Sequence, residues 1–289
     1  MAHSYIIADV FTDRAYGGNP LAVLPDADGL SDAQMQAVAR EFNLSETTFV
    51  TPGNAPGRFR VRIFTPVAEL PFAGHPIVGT AIALQSLGRV TTVAVFELKV
   101  GPVRVEIGEG RAVFFRDGAP EVRQPRVTAA ELAALIGVPA LAAPAFEAGY
   151  GTAFLFLPLA DRAAVAASRL RLELWRAAED RLWGHGAYVY AVTGERDGVT
   201  HVHARLFAPD LGLGEDPATG SAAAGLVGSL AGPGGSSEGV HLVAITQGVE
   251  MGRPSLIEAT ATRVGGQVHA ISIGGGAVVV GEGRLVRLP

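Results

Sequence analysis

The sequence predicts an α+β fold of two pseudo-symmetric lobes, each a β-barrel wrapped around a central α-helix. Three observations carry this expectation. One long motif occurs twice, each copy opens a run that is apolar on every side, and short β-patterned segments surround both runs.

The first copy, residues 62–76, reads R-I-F-T-P-V-A-E-L-P-F-A-G-H-P. The second, residues 205–222, reads R-L-F-A-P-D-L-G-L-G-E-D-P-A-T-G-S-A. Arg62, Ile63 and Phe64 match Arg205, Leu206 and Phe207. After an insertion in the second copy, Glu69, Pro71 and Gly74 match Glu215, Pro217 and Gly220. A repeat of this length marks a duplicated half rather than a short solenoid unit. Two helix N-termini in equivalent places suit an anion, so a cleft between like lobes is expected.

Residues 5–10 and 21–24 read as strands. Ser31 opens a helix, because Gln34 completes a capping box, and Met35, Val38, Ala39 and Phe42 mark one buried face. Residues 47–50 are β-branched and aromatic, and residues 58–64 alternate polar and apolar, as strands do. Residues 75–87 form the first all-apolar helix, which must be buried all round. Strands follow at 91–99, 103–107 and 112–116. Residues 117–124 look like a linker, and Thr128 with Glu131 makes a second capping box. Residues 152–157, 188–192 and 201–207 are strands, and residues 221–231 are the second apolar helix. Strands at 276–280 and 285–288 return to the first lobe. The expected N-terminal lobe is thus 1–118 with 277–289, and the C-terminal lobe is 119–276. The glycine-rich 232–239 reads as a mobile surface loop, and its G-x-S-x-G spelling has no strand before it, so no nucleophile elbow is expected.

Composition narrows the chemistry. The 289 residues are 48% hydrophobic, enough for two lobes with real cores. Net charge is -5 with no basic stripe, which argues against nucleic acid. No run reaches membrane-spanning length, no signal peptide is visible, and a cytoplasmic location is expected. There are no cysteines, so thiolate catalysis and Cys-ligated metal are excluded. His201 and His203 share a strand face without a third ligand. A solvated face is expected there rather than a metal site. No phosphate or dinucleotide loop opens a helix, so no nucleotide cofactor is expected.

Glu46 stands between a helix end and an apolar strand, where partial desolvation suits proton transfer; otherwise it is an exposed loop acid. His75 follows Gly74 at the mouth of a buried helix, with Pro76 expected at N1. The positive end of the helix dipole favours a neutral imidazole there; the alternative is a capping histidine without chemistry. Asp216 replaces Leu70 of the first copy, which suggests a specialised role beyond that of a turn acid. Ser221 matches His75, and either binds substrate or caps its helix.

Together these motifs resemble the phenazine biosynthesis PhzF-like family, with its diaminopimelate epimerase-like fold. The resemblance rests on Asp9-Val10-Phe11, Gly18-Asn19-Pro20, Leu44-Ser45-Glu46-Thr47, Gly74-His75-Pro76 with Gly79-Thr80-Ala81, Arg205-Leu206-Phe207-Ala208-Pro209, and Glu215-Asp216-Pro217-Ala218-Thr219-Gly220-Ser221-Ala222. It implies a cofactor-free isomerase that moves a proton within a small carboxylated metabolite. Glu46 would be the proton carrier, with His75 and Asp216 completing the catalytic set. Asn19, Ser45, Gly74, Gly220 and Ser221 would bind substrate. Related epimerases carry a cysteine at each helix start; here those positions are Ala73 and Thr219, which leaves a single-carboxylate shuttle. The family's substrate, trans-2,3-dihydro-3-hydroxyanthranilate, becomes the first candidate, and a homodimer is implied. Two other readings remain: an isomerase or epimerase of another small acid, and a non-catalytic small-molecule-binding protein.

Overall fold

The computed structural model describes residues 3–211, 214–232 and 238–288. The glycine-rich residues 233–237, and with them most of the G-x-S-x-G spelling and of the expected mobile loop, lie outside the described residues. The chain forms two compact units. One runs to Arg116 and resumes at Ile273, and the other spans Asp117–Ser272.

The first unit contains β1 (His3–Val10), β2 (Asn19–Leu24), α1 (Asp32–Phe42), β3 (Glu46–Pro52), β4 (Arg58–Phe64), β5 (Glu69–Leu70), α2 (Gly74–Ser86), β6 (Val93–Leu98), β7 (Gly101–Gly108) and β8 (Arg111–Asp117). The second contains β9 (Glu121–Arg123), α3 (Ala129–Leu135), β10 (Phe146–Tyr150), β11 (Thr152–Pro158), α4 (Arg162–Ala167), α5 (Leu172–Ala178), β12 (Ala187–Arg196), β13 (Val199–Phe207), α6 (Gly220–Leu230), β14 (Gly239–Gln247) and β15 (Ser255–Val264). The last strand, β16 (Gln267–Leu285), begins in the second unit and ends in the first.

In the first unit the strands are ordered β1-β2-β3-β4-β6-β7-β8-β16. Because β16 pairs back onto β1, this is a closed eight-stranded barrel. In the second unit the order is β16-β15-β14-β13-β12-β11-β10-β9. There α6 packs on β10 and β11 near one end of the sheet and on β14 and β15 near the other. The sheet must therefore curl round the helix. Both units use parallel pairs joined across a helix: β2 with β3 and β4 with β6 in one, β11 with β12 and β13 with β14 in the other.

The central helices are as enclosed as their sequences require. Every residue from Gly74 to Leu84 of α2 is buried, as are Gly220 and residues 222–228 of α6. Close packing dictates their small residues. A Cβ at Gly79 would sit 2.6 Å from both Leu21 and Val10 side chains. Strands whose outer face is also covered by a helix are apolar on both faces, whereas β7 and β15 bury only alternate residues. Leu24 and Phe49 pack on Met35, Val38 and Ala39 of α1. Leu155, Leu157 and Val189 pack on Leu132, Val165 and Trp175 of α3, α4 and α5. Each large side chain removed from water in this way contributes about 1.5–3 kcal/mol.

Both capping boxes form, Ser31 with Gln34 and Thr128 with Glu131. Three sequence expectations are corrected. The linker-like stretch at 117–124 contains β9, an edge strand paired with β10. The two returning strands are one, β16, and Val286 beyond it is exposed. His203 does not lie on a solvated face: it is buried, and its Nε2 stands 2.9 Å from Glu250 Oε1, so a carboxylate partner makes burial tolerable.

The duplicated motif folds alike in both units. Arg62 holds Glu69 with a two-pronged fork, Nε to Oε1 at 2.8 Å and Nη2 to Oε2 at 2.7 Å. Arg205 holds Glu215 with the same two atoms at 2.8 Å each. Each guanidinium also lies over the phenylalanine two residues on, Phe64 or Phe207. The pairs differ in burial. The Arg62 side chain is 31% exposed, and Arg205 is 5% exposed. Breaking a buried pair strands a charge and costs about 3–5 kcal/mol, while exposed pairs are worth about 0–1 kcal/mol. Arg205→Met should therefore lower stability by about 3–5 kcal/mol in urea unfolding, and Arg62→Met should cost clearly less. Equal losses would mean that burial does not set the difference.

Candidate active site

The candidate residues fall into two sets, one in each unit. In the first unit, β2 opens with Asn19, β3 opens with Glu46, and α2 carries His75 in its first turn. Gly18 turns the chain into β2 with φ +61°; a Cβ there would meet the Val10 carbonyl oxygen at 2.2 Å, so only glycine fits. Parallel pairing sets Leu21 beside Glu46, and a contact between the Thr48 and Thr80 hydroxyls, 2.9 Å, ties β3 to α2. These constraints bring Asn19, Glu46 and His75 together. All three are buried. Ser45 is half-buried beside Glu46, and Gly74 is buried.

The imidazole is held in one form. Burial pushes the His75 pKa down to about 3, so the ring is neutral at ordinary pH. The Asn19 amide nitrogen lies 3.2 Å from Nδ1. That nitrogen can only donate, so Nδ1 accepts and Nε2 keeps the proton. Nε2 stands 3.3 Å from Glu46 Oε2. A neutral N–H therefore faces the carboxylate without placing a positive charge beside it. The expectation of a neutral His75 from the helix dipole holds, with burial as the cause.

The helix start itself differs from the expectation. Ala73 is the N-cap of α2, so Gly74 is N1 and Pro76 is N3, still within the turn whose N–H groups have no helical acceptor. In α6 the N-cap is Thr219, and Gly220 and Ser221 are N1 and N2. Neither N-cap side chain bonds its own helix, which leaves the first N–H groups without a side-chain cap.

In the second unit, Asp216 is buried and bridges to Leu206, as Leu70 pairs with Ile63 in the first. The Thr219 hydroxyl is turned away from its helix and donates to Asp216 Oδ2 at 2.5 Å. Gln247, at the end of β14, bonds both residues: its Nε2 reaches the Asp216 carbonyl oxygen at 2.8 Å and Thr219 Oγ1 at 3.0 Å. The Tyr188 hydroxyl reaches Gln247 Oε1 at 3.3 Å. Burial, with the Asp216 charge adding to it, pushes the Tyr188 phenol above its ordinary value, so it stays protonated. Sequence reasoning missed Gln247 and Tyr188, which lie far from the motif and join it only through the sheet. Gly220 is buried and Ser221 half-buried beside this set.

Among the described residues, no three His, Asp or Glu side chains gather as a metal site, and no helix is long and apolar enough to cross a membrane. The barrel around a central helix, with its duplicated motif, defines an α+β protein of diaminopimelate epimerase-like fold. A family model described as phenazine biosynthesis-like protein matches residues 8–283, and the chain belongs to that family. An uncharacterized isomerase of Mesorhizobium japonicum is 39% identical, over 98% of both chains. Trans-2,3-dihydro-3-hydroxyanthranilate isomerase of Pseudomonas aeruginosa is 37% identical, over 98% of this chain and 99% of that one. The crystal structure of a PhzF family phenazine biosynthesis protein of Bacillus anthracis superposes with a TM-score of 0.88 at 24% identity, covering 99% of this chain and 100% of that chain. Like the Mesorhizobium japonicum and Pseudomonas aeruginosa relatives, the chain is an isomerase.

The buried His75 gives a pH signature. Its folded pKa lies below its unfolded value, so the unfolded chain binds the extra proton first. Stability is full above about 6.5 and is lost as pH falls toward 3. From well above pH 6.5 down to pH 5 the loss is about 2 kcal/mol from this group. Urea unfolding of His75→Gln should lack that part of the slope. An unchanged slope would place the ring in water.

Proposed function

We propose that the chain is a cofactor-independent isomerase that moves a proton within a small carboxylated substrate, with Glu46 as the acid–base group. The observation that carries this reading is a buried carboxylate facing a neutral imidazole oriented by Asn19. Glu46 takes a proton from a substrate carbon, the electron pair shifts along the conjugated system, and the Glu46 carboxylic acid returns a proton to another carbon. The neutral His75 stands beside Glu46 without fixing it in a permanent ion pair. Asp216, held by Thr219, accepts a hydrogen bond from a substrate amine or hydroxyl. The start of α2 at Gly74, with Ser45, offers N–H and O–H donors to a substrate carboxylate, and the start of α6 at Gly220, with Ser221, is a second set of such donors. One positioned acid–base group supplies about 10²–10⁴-fold, so orientation supplies much of the rest.

The substrate this supports first is trans-2,3-dihydro-3-hydroxyanthranilate, the molecule named for the Pseudomonas aeruginosa relative at 37% identity. A different small acid is the second reading, favoured by the 39% identical isomerase for which no substrate is named. Mass spectrometry in D₂O tests both the residue and the substrate. Wild type should give isomerised product, with deuterium at the receiving carbon if the carried proton exchanges. Glu46→Gln should be slower by about 10²–10⁴-fold. Full activity in Glu46→Gln would remove Glu46 as the carrier. No turnover by wild type would remove this substrate.

A further inference from the structure

Four polar groups of the second unit form a network with a single direction. The Tyr188 hydroxyl and the Thr219 backbone N–H both point at Gln247 Oε1, each at 3.3 Å. Both are donors, the first because burial keeps the phenol protonated. Gln247 Nε2 then faces two acceptors, the Asp216 carbonyl oxygen and Thr219 Oγ1. Turning the amide over would set a donor against the Thr219 backbone N–H and an acceptor against the Asp216 carbonyl oxygen, so this buried side chain has one orientation. Thr219 Oγ1 accepts from Gln247, and its own proton goes to Asp216 Oδ2.

The first unit supports this as one device. By the repeat, Asp216 and Thr219 correspond to Leu70 and Ala73. By the strand registers, which set Arg60 beside Glu97 and Ala204 beside Gln247, Gln247 corresponds to Leu98. All three positions are apolar in one unit and polar in the other.

We infer that Gln247 is a positioning residue of the proposed isomerase: it fixes which way the Thr219 hydroxyl donates, so that Asp216 is held as a hydrogen-bonded, aimed carboxylate. The inference rests on the reading of Asp216 as part of the reaction site, but its test does not. Of the titratable groups on β12 and β13, Tyr188 feels the Asp216 charge, and His203 and Arg205 lie on the strand whose Leu206 bridges to Asp216. The last two are engaged by Glu250 and Glu215. A donated hydrogen bond favours the ionised carboxyl.

The test is a ¹³C NMR titration of the holo-length protein labelled at aspartate carboxyl carbons, with the Asp216 signal assigned by its loss in Asp216→Asn. Thr219→Val removes the hydroxyl without removing a helix cap, since that hydroxyl caps nothing. Thr219→Val and Gln247→Met should each raise the Asp216 titration midpoint by about one unit, and the double variant should rise no further than either alone. Gln247→Leu, which sets the first unit's Leu98 at this position, adds no charge and should also raise the midpoint; it carries the test if Gln247→Met does not fold. A midpoint that moves in Thr219→Val but not in the Gln247 variants overturns the inference, as does a double variant in which the shifts add. Turnover separates the two claims. If the midpoint moves but the pH profile of kcat/KM does not follow it, Gln247 positions Asp216 as stated and the role of Asp216 in the reaction falls.

Discussion

A guanidinium–carboxylate fork precedes each central helix and fixes where that helix begins. The fork pins the loop that leaves β4 or β13, and in both units the helix begins five residues beyond the glutamate, at Gly74 or Gly220. A loop so held delivers a buried helix start at a fixed offset from the strand. The forks are embedded differently. Arg62 also reaches Asp32 at the start of α1, and its hydrogen bonds, with those of Lys99, hold the Glu69 carboxyl below the usual carboxylate range. Arg205 instead donates to the carbonyls of Val165, Ala166 and Ser168 at the end of α4, where the helix dipole favours a cation. The same fork thus ties each central helix to the helix that covers the outside of its sheet.

On that repeated frame the two units have diverged in complementary ways. Leu24-Pro25 matches Leu157-Pro158, which sets Asn19 against Thr152. Counting along the parallel pairs then sets Glu46 against Gly186. The second unit therefore lacks the carboxylate and the amide that accompany His75, and has Ser221 in place of the ring itself. The first unit lacks the polar set around Asp216 and fills those positions with leucine and alanine. The two units share one scaffold, and each carries a different polar set on it.

What could be read from the sequence followed from local rules. The capping boxes, the strand at Arg58–Phe64 and the two all-apolar helices each depend on residues a few positions apart, and they stand where they were expected. Glu46 and His75 stood out through motifs, and the fold seats them 3.3 Å apart. The rest needed tertiary context. In β15 the inward positions are Ser255, Ile257, Ala259 and Ala261, mostly too small to mark a hydrophobic face. The pairing of His203 with Glu250 crosses 47 residues. Gln247 has no local signal at all, because its four side-chain bonds come from three residues in two other segments. Pro76 sits two positions deeper in its helix than proline's preference implied, since the preceding Ala73 and Gly74 already supply the extended and helical conformations of the start.

The closing strand carries one more consequence, for the order in which the chain can fold as it leaves the ribosome. The barrel of the first unit is sealed by residues beyond Ile273, which pair with β1 from Ala277–Val10 to Leu285–His3. The second unit is wholly encoded before that point. The half that is synthesised first is thus the last to be complete. Until β16 emerges, β1 and β8 are open edges of an unfinished sheet, and the later half can finish its own packing while the earlier one waits.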